Sequence, residues 1–275
     1  MGIIKKKREF EKIVKGISEI KIQGARAIAK KALYAYSLFP KESAKKKLLS
    51  LRPTEPMLMN VLERIEKQNY KEILRHFDFS QEKINKFVLK LIKNNAVIFT
   101  HCHSTNVVNS LIYAKKQKKK FEVYNTETRP LFQGRKTSKE LSKAGIKVTE
   151  FIDSAAKTAL VKENKKDKIH ADLVFFGADA ILKSGIINKI GSGMFAEIAH
   201  DNKIPVYIVA DSWKYSPKHF ELEERNFHEV WKNLPKNSHI KIKNPAFEFV
   251  PKKYIKAIVS EYGILSFGEF LKKMK

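Results

Sequence analysis

The stretch Asn94-Asn95-Ala96-Val97-Ile98-Phe99-Thr100-His101-Cys102-His103-Ser104 passes from two asparagines through an apolar run into a cluster of small polar and ionisable residues. Asn106 to Lys115 then carry a helical pattern. The same break recurs along the chain. Val123–Tyr124 runs into Asn125-Thr126-Glu127-Thr128-Arg129 and Val148–Ile152 into Asp153-Ser154. Leu173–Phe176 runs into Gly177-Ala178-Asp179 and Val206–Ala210 into Asp211-Ser212-Trp213-Lys214. Buried strands alternating with helices predict a parallel sheet, and such sheets bind ligands beyond the carboxyl ends of their strands. All five clusters are therefore expected along one rim.

Outward from this core, the crossovers fall at Asn106 to Lys115, Thr137 to Lys143, Ser154 to Val161 and Gly191 to His200. Ile187-Asn188-Lys189 intervenes before the last of them, and the fifth strand follows Pro205. The tail, Asn244 to Phe270, predicts another strand and a short helix with Gly263 between them. The charged, poorly periodic segment 216–243 predicts a loop excursion over the surface. Upstream, Phe10, Ile13, Val14, Ile17 and Ile20 keep helical spacing, and Ala25 to Leu38 is alanine-rich. Met57, Val61 and Ile65 continue a helical face, and Ile84 to Ile92 form another. The expected architecture is α/β, with a helical N-terminal domain over 1–93 and a Rossmann-like, doubly wound parallel-sheet domain over 94–275.

The chain has 275 residues, of which 43% are hydrophobic, enough for a substantial core. No apolar run has the length of a membrane span, and the N-terminus lacks the apolar core of a secretory signal. One cysteine excludes an internal disulfide framework, so a cytosolic protein is expected. The formal net charge is +26, but 47 of the 55 basic residues are lysines scattered through nearly every segment. That pattern implies nonspecific nucleic-acid contact at most. The 8 arginines are more telling, because Arg26, Arg52, Arg129 and Arg135 fall in unusual local motifs. Only a guanidinium grips phosphate or carboxylate bidentately.

Cys102 is the sole thiol. Just past a strand and near a helix N-terminus, with His101 and His103 beside it, it can serve as base or nucleophile; equally, free cysteine can be a small core hydrophobe. Asp179 closes an apolar strand, where burial raises a carboxyl's pKa and makes an acid of it. Taken singly, an aspartate there is more simply a helix N-cap. Gly24-Ala25-Arg26 opens a helix whose amides and guanidinium can converge on a phosphate, although a packing glycine explains the pattern as well. No second CxxC or HxxxH spacing supports a metal site, and no Walker-type, GxGxxG or G-x-S-x-G sequence occurs, so neither metal nor organic cofactor is expected.

Six motifs occur in order: Thr100-His101-Cys102-His103-Ser104, Thr126-Glu127-Thr128-Arg129-Pro130, Gln133-Gly134-Arg135, Gly177-Ala178-Asp179, Ile187-Asn188-Lys189-Ile190-Gly191 and Asn244-Pro245-Ala246-Phe247. Together they resemble the family that joins archaeal ribose-1,5-bisphosphate isomerase, methylthioribose-1-phosphate isomerase and the alpha, beta and delta regulatory subunits of translation initiation factor two-B. The resemblance implies Cys102 as proton acceptor and Asp179 as proton donor, a pair that the regulatory subunits typically lack. It further implies substrate contacts at Gln23, Gly24, Ala25 and Arg26, at Arg52 in Leu51-Arg52-Pro53-Thr54, and at Ser104, Thr105, Asn188, Lys189 and Lys214. The implied substrate is a phosphorylated pentose, and the implied assembly a homo-oligomer, dimer or hexamer. In the bisphosphate isomerases Asp179 would protonate the ring oxygen and the Cys102 thiolate would take the C2 proton. Two positions depart from the resembled pattern: Gln23 stands where arginine is usual and Thr105 where lysine is common. They favour the alternative of a non-catalytic, initiation-factor-type binding protein with a translation factor as partner; the other alternative is a methylthioribose-1-phosphate isomerase.

Overall fold

The computed structural model describes residues 2–53, 55–161, 170–218, 222–235 and 239–275. Five helices come first: α1 (Ile3–Ser18), α2 (Ala25–Leu38), α3 (Glu42–Ser50), α4 (Pro56–Arg64) and α5 (Tyr70–Leu91). α5 starts well before the Ile84–Ile92 face seen in the sequence. Asn69 and Glu72 form a reciprocal capping box there, which satisfies two of the helix's open amides.

The alternating part follows as β1 (Ala96–His101), α6 (Thr105–Lys116), β2 (Phe121–Thr126), α7 (Gln133–Lys143), β3 (Lys147–Phe151), α8 (Ala156–Leu160) and β4 (Leu173–Phe176). Then come β5 (Ala180–Ile181), β6 (Gly185–Lys189), α9 (Ser192–Asp201), β7 (Val206–Val209), β8 (Phe247–Pro251), β9 (Ala257–Ser260), β10 (Gly263–Leu265) and α10 (Phe267–Lys273). The main sheet has the order β10-β9-β7-β4-β1-β2-β3. Every pairing in it is parallel except that of β10 with β9. Strand order reverses between β1 and β4, which lie side by side with Ile98 opposite Leu173 and Phe99 opposite Val174. That reversal is the topological switch point, where the loops after neighbouring strands diverge and open a crevice.

Successive strand residues point to opposite faces, and both faces are covered. Val97, Phe99, Val174 and Phe176 pack with residues of α8, α9 and α10. Ile98, Val123, Leu173 and Phe175 pack with α6, α7 and the C-terminal half of α5. A third core joins α1 to α4. A fourth joins α2, α4 and α5 to Trp213, which follows β7. The Trp213 indole stacks on His76 of α5, with ring centroids 3.6 Å apart, and His76 Nε2 lies 3.1 Å from Asp211 Oδ1. This junction seats the N-terminal ends of α2 and α4 over the carboxyl ends of the strands.

Three expectations need correction. The Val148–Ile152 run is not a buried strand: β3 is the sheet edge, most of its residues face solvent at least in part, and Ile152 is 59% exposed. Ile187-Asn188-Lys189 belongs to β6, which pairs antiparallel with β5 and β8 in a second, three-stranded sheet. The tail therefore holds three short strands before α10 instead of one. Segment 216–243 runs as loop where it is described, apart from a 3-10 turn at Phe227–Glu229 and a single bridge from Glu224 to Pro245, but 219–221 and 236–238 lie outside the described residues, as does Thr54 of the Arg52 motif.

Candidate active site

Cys102 follows β1 and Asp179 follows β4, so the switch point brings them to one crevice. Both line a single cavity, together with Gln23, Gly24, Ala25, Arg26, Arg52, Ser104, Thr105, Asn188, Lys189 and Lys214. Each comes from a recognisable local arrangement. Gly24 caps α2 with φ 87°, a conformation that only glycine adopts without strain, and the first turn of α2 lines the cavity. Ser104 caps α6 through the amide of Val107. A Cβ on Gly177 would stand 2.6 Å from Ser104 Oγ, so only glycine lets the β4 end approach the thiol loop this closely. β6 delivers Asn188 and Lys189, and the turn after β7 delivers Lys214, whose ammonium donates to the Ala178 carbonyl.

The thiol loop is held by hydroxyls. Cys102 itself has φ 65°, its amide donates to Thr128 Oγ1 at 3.0 Å, and its carbonyl accepts from Thr137 Oγ1 at 2.8 Å. Because Thr137 spends its proton on that carbonyl, it receives one from His103 Nδ1 at 3.0 Å. His101 is buried between Thr126 Oγ1 and the Ile190 carbonyl. Burial pushes each imidazole down to about 4, so both rings are neutral. The expected histidine assistance to a thiolate is therefore absent. The helix N-terminus helps less than expected too, since α6 begins at Thr105 and Cys102 precedes even its cap. Burial pushes the Cys102 thiol up to about 11, Lys189 pulls it back and Asp179 adds to the rise.

Asp179 is not a helix N-cap. It lies between β4 and β5, and its amide donates to the Ile187 carbonyl at 2.9 Å. Burial raises its pKa, opposed chiefly by Lys214 and Lys189. Burial thus shifts both the thiol and the carboxyl toward the protonated form.

Sequence reasoning missed several lining residues. Six cationic side chains, Arg26, Arg52, Lys136, Lys189, Lys214 and Arg225, face two carboxyls, Glu55 and Asp179, across the cavity. Lys136 and Arg225 supply positive charge that the Gln23 and Thr105 positions lack. Arg225 comes from the segment expected to be a surface excursion. Glu223 beside it accepts from Arg52 Nη1 at 3.0 and 3.1 Å and sits 3.2 Å from Arg225 Nε. Among the described residues, Arg52 Nε and Arg225 Nη1 are buried donors without a hydrogen-bond partner. Buried donors normally have partners, and here an anion in the cavity can provide them. Arg26, in contrast, is shared with Asp78 at 2.9 Å and Gln81 at 3.3 Å. Arg129 and Arg135 do not reach the cavity: both stack on Phe132, with Cζ 5.0 and 3.7 Å from the ring centroid.

Residues 21–267 match the initiation factor 2 subunit family. The chain belongs to this family. Within the initiation factor 2 subunit family it is 36% identical to ribose 1,5-bisphosphate isomerase of Methanocaldococcus jannaschii, over 96% of this chain and 92% of that one. It is 32% identical to the protein of the same name from Thermococcus kodakarensis, over the same shares of the two chains. A solved structure of translation initiation factor eIF-2B from Pyrococcus horikoshii OT3 superposes with a TM-score of 0.80 at 26% identity, covering 94% of this chain and 96% of that one. The eIF-2B structure thus has the same fold. Among the described residues no helix is long and apolar enough to cross a membrane.

Proposed function

We propose that the protein is an aldose-ketose isomerase that converts ribose 1,5-bisphosphate to ribulose 1,5-bisphosphate. The observation that carries this reading is the meeting of the only thiol and a raised-pKa carboxyl over one cavity walled by six cations. A substrate with a phosphate at each end satisfies that charge and finds the two unpartnered guanidinium donors. The relatives named as ribose 1,5-bisphosphate isomerases point to the same substrate.

The 1-phosphate locks the sugar as a ring. Asp179, whose pKa burial raises, gives its proton to the ring oxygen as the C1–O bond breaks. Cys102, once its thiol proton has passed to solvent, takes the proton from C2 as thiolate, and the electron pair forms the C1–C2 double bond. The C2 hydroxyl then returns a proton to Asp179 as its oxygen becomes the ketone, while the Cys102 thiol delivers its proton to C1. Both side chains end as they began. Lys189, which lowers the thiol's pKa, favours the thiolate that this sequence needs. Holding both phosphates fixes the sugar between acid and base, the source of the proximity advantage.

The protein acts in this reading as a cytosolic homo-oligomer, with no resident cofactor in any step. The test is direct: incubate the protein with ribose 1,5-bisphosphate and follow ribulose 1,5-bisphosphate by NMR. Cys102→Ser should abolish turnover with the fold intact, and substantial remaining activity would overturn the assignment of the base. A second reading, a non-catalytic binding protein, draws on the similarity to the eIF-2B structure. The presence of both Cys102 and Asp179 opposes it, and absence of turnover on both ribose 1,5-bisphosphate and methylthioribose 1-phosphate would favour it.

A further inference from the structure

Glu55 lines the same cavity and has no part in the chemistry above. It is only 4% exposed, and its Oε2 has no hydrogen-bond partner among the described residues. Its position makes this unusual. Glu55 is the N-cap residue of α4, next to the helix's open amides, yet its side chain makes no capping hydrogen bond. Its backbone is fixed through Glu55 N to the Arg52 carbonyl at 3.2 Å and Leu58 N to its own carbonyl at 3.0 Å. The carboxyl thus forgoes the donors of its own helix and stands at the cavity wall, where the charges of Asp179, Lys214, Arg52 and Glu223 act on it.

A buried carboxyl oxygen without a hydrogen-bond partner is a costly arrangement. Burial and Asp179 raise the pKa of this carboxyl, so the missing partner must suit it with or without its proton. A phosphate dianion only accepts and so answers the protonated form alone, an apolar group leaves the oxygen orphaned, and a hydroxyl, which both donates and accepts, answers either form. The hydroxyls of a sugar fit, and the phosphates are left to the unpartnered guanidinium nitrogens of Arg52 and Arg225. We propose that Glu55 is a specificity-determining residue whose Oε2 accepts a hydrogen bond from a ring or chain hydroxyl of the bound sugar phosphate. It selects polyhydroxylated ligands over equally charged ones without hydroxyls. The identity of the sugar rests on the isomerase reading; the selection for hydroxyls does not.

The experiment uses the full chain carrying Cys102→Ser, so that ligand is not turned over, alone and combined with Glu55→Ala or Glu55→Gln. Calorimetry compares ribose 1,5-bisphosphate with pentane-1,5-diol bisphosphate, which has the same charge and no hydroxyl. Glu55→Ala should weaken the sugar by about two- to tenfold, the range of an ordinary buried hydrogen bond, and leave the diol bisphosphate unchanged. Glu55→Gln keeps the shape and one acceptor, so it should retain part of the preference and guards against a packing artefact in the alanine variant. Equal weakening of both ligands, or an unchanged sugar affinity in Glu55→Ala, would overturn the proposal, as would a chain that binds neither. Turnover by the unaltered protein is measured separately. Selectivity that depends on Glu55 without turnover sinks only the isomerase reading; turnover with selectivity independent of Glu55 sinks only this one.

Discussion

Ionisation of the lone thiol can be read out cleanly because the chain has no other cysteine. Burial moves Cys102 from an ordinary 9.0 to about 11. Two units mean about a hundredfold less thiolate at any pH below 9, since each unit is a factor of ten. A more basic thiolate is also a better nucleophile, with a Brønsted slope near 0.45, which returns about eightfold. Alkylation by iodoacetamide should therefore be only about tenfold slower in the folded protein than in the chain unfolded in urea, a modest difference that restricted access alone can mimic. The decisive signal is the shape of the profile. The logarithm of the folded-state rate should climb with unit slope from about pH 7 to about pH 9.5 without levelling, whereas the unfolded chain levels near 9. Lys189→Met should displace the folded profile upward and Asp179→Asn downward, because Lys189 lowers the thiol's pKa and Asp179 raises it. A folded-state profile that flattens at or below pH 9 would refute the desolvated thiol.

Asp179→Asn should cut turnover of ribose 1,5-bisphosphate by about a hundredfold or more, the usual worth of a positioned general acid, with little change in melting temperature; near-native kcat would refute its role. Glu55 supplies a pH signature. Its pKa is pushed from 4.5 up to about 8 by burial and by Asp179. Between those values the folded state keeps a proton that the unfolded chain releases, so this contribution is full below pH 4.5, falls as pH rises and is gone above about pH 8. His101 and His103, held near 4, act oppositely as pH drops below 6.5. Subtracting the melting curves of Glu55→Gln from those of the native protein therefore isolates Glu55: the variant should gain relative stability as pH rises from 5 to 8, and a constant difference would refute the shift. Gly177→Ala should disturb the thiol loop through Ser104, read as loss of kcat together with faster alkylation of Cys102; unchanged values for both would refute the close packing.

The main sheet was legible because its central strands are covered on both faces. Ala96–Phe99, Leu173–Phe176 and Val206–Ala210 have to be apolar at every position, which no amphipathic helix requires. The same signal misled at β3. Val148 and Phe151 contact neighbours in the core, but Lys147 and Glu150 belong to an edge exposed to solvent, and an apolar run cannot by itself tell an edge from a centre. The small antiparallel sheet gave no warning: β5 has two residues, and β6 mixes Ile186 and Ile187 with Asn188 and Lys189 because one end of it forms the cavity wall.

At the site, position was legible and protonation was not. Residues just past two strand ends can be named from the apolar runs that precede them, and the switch point then sets Cys102 beside Asp179. The state of His101 and His103 depends instead on Thr126 and Thr137, 25 and 34 residues further along, whose hydroxyls complete the rings' hydrogen bonds only after folding. Arginine against a lysine background is a fair signal for anion recognition, but it does not say whether the anion is a ligand or the protein itself. Arg52 and Arg225 share Glu223 and still keep buried N–H groups unpaired among the described residues. Arg135 satisfies itself on Glu127 and the Phe132 ring at the surface. What separates the two cases is whether guanidinium donors are buried with no acceptor from the chain, and that can be counted only once the fold has brought the acceptors together.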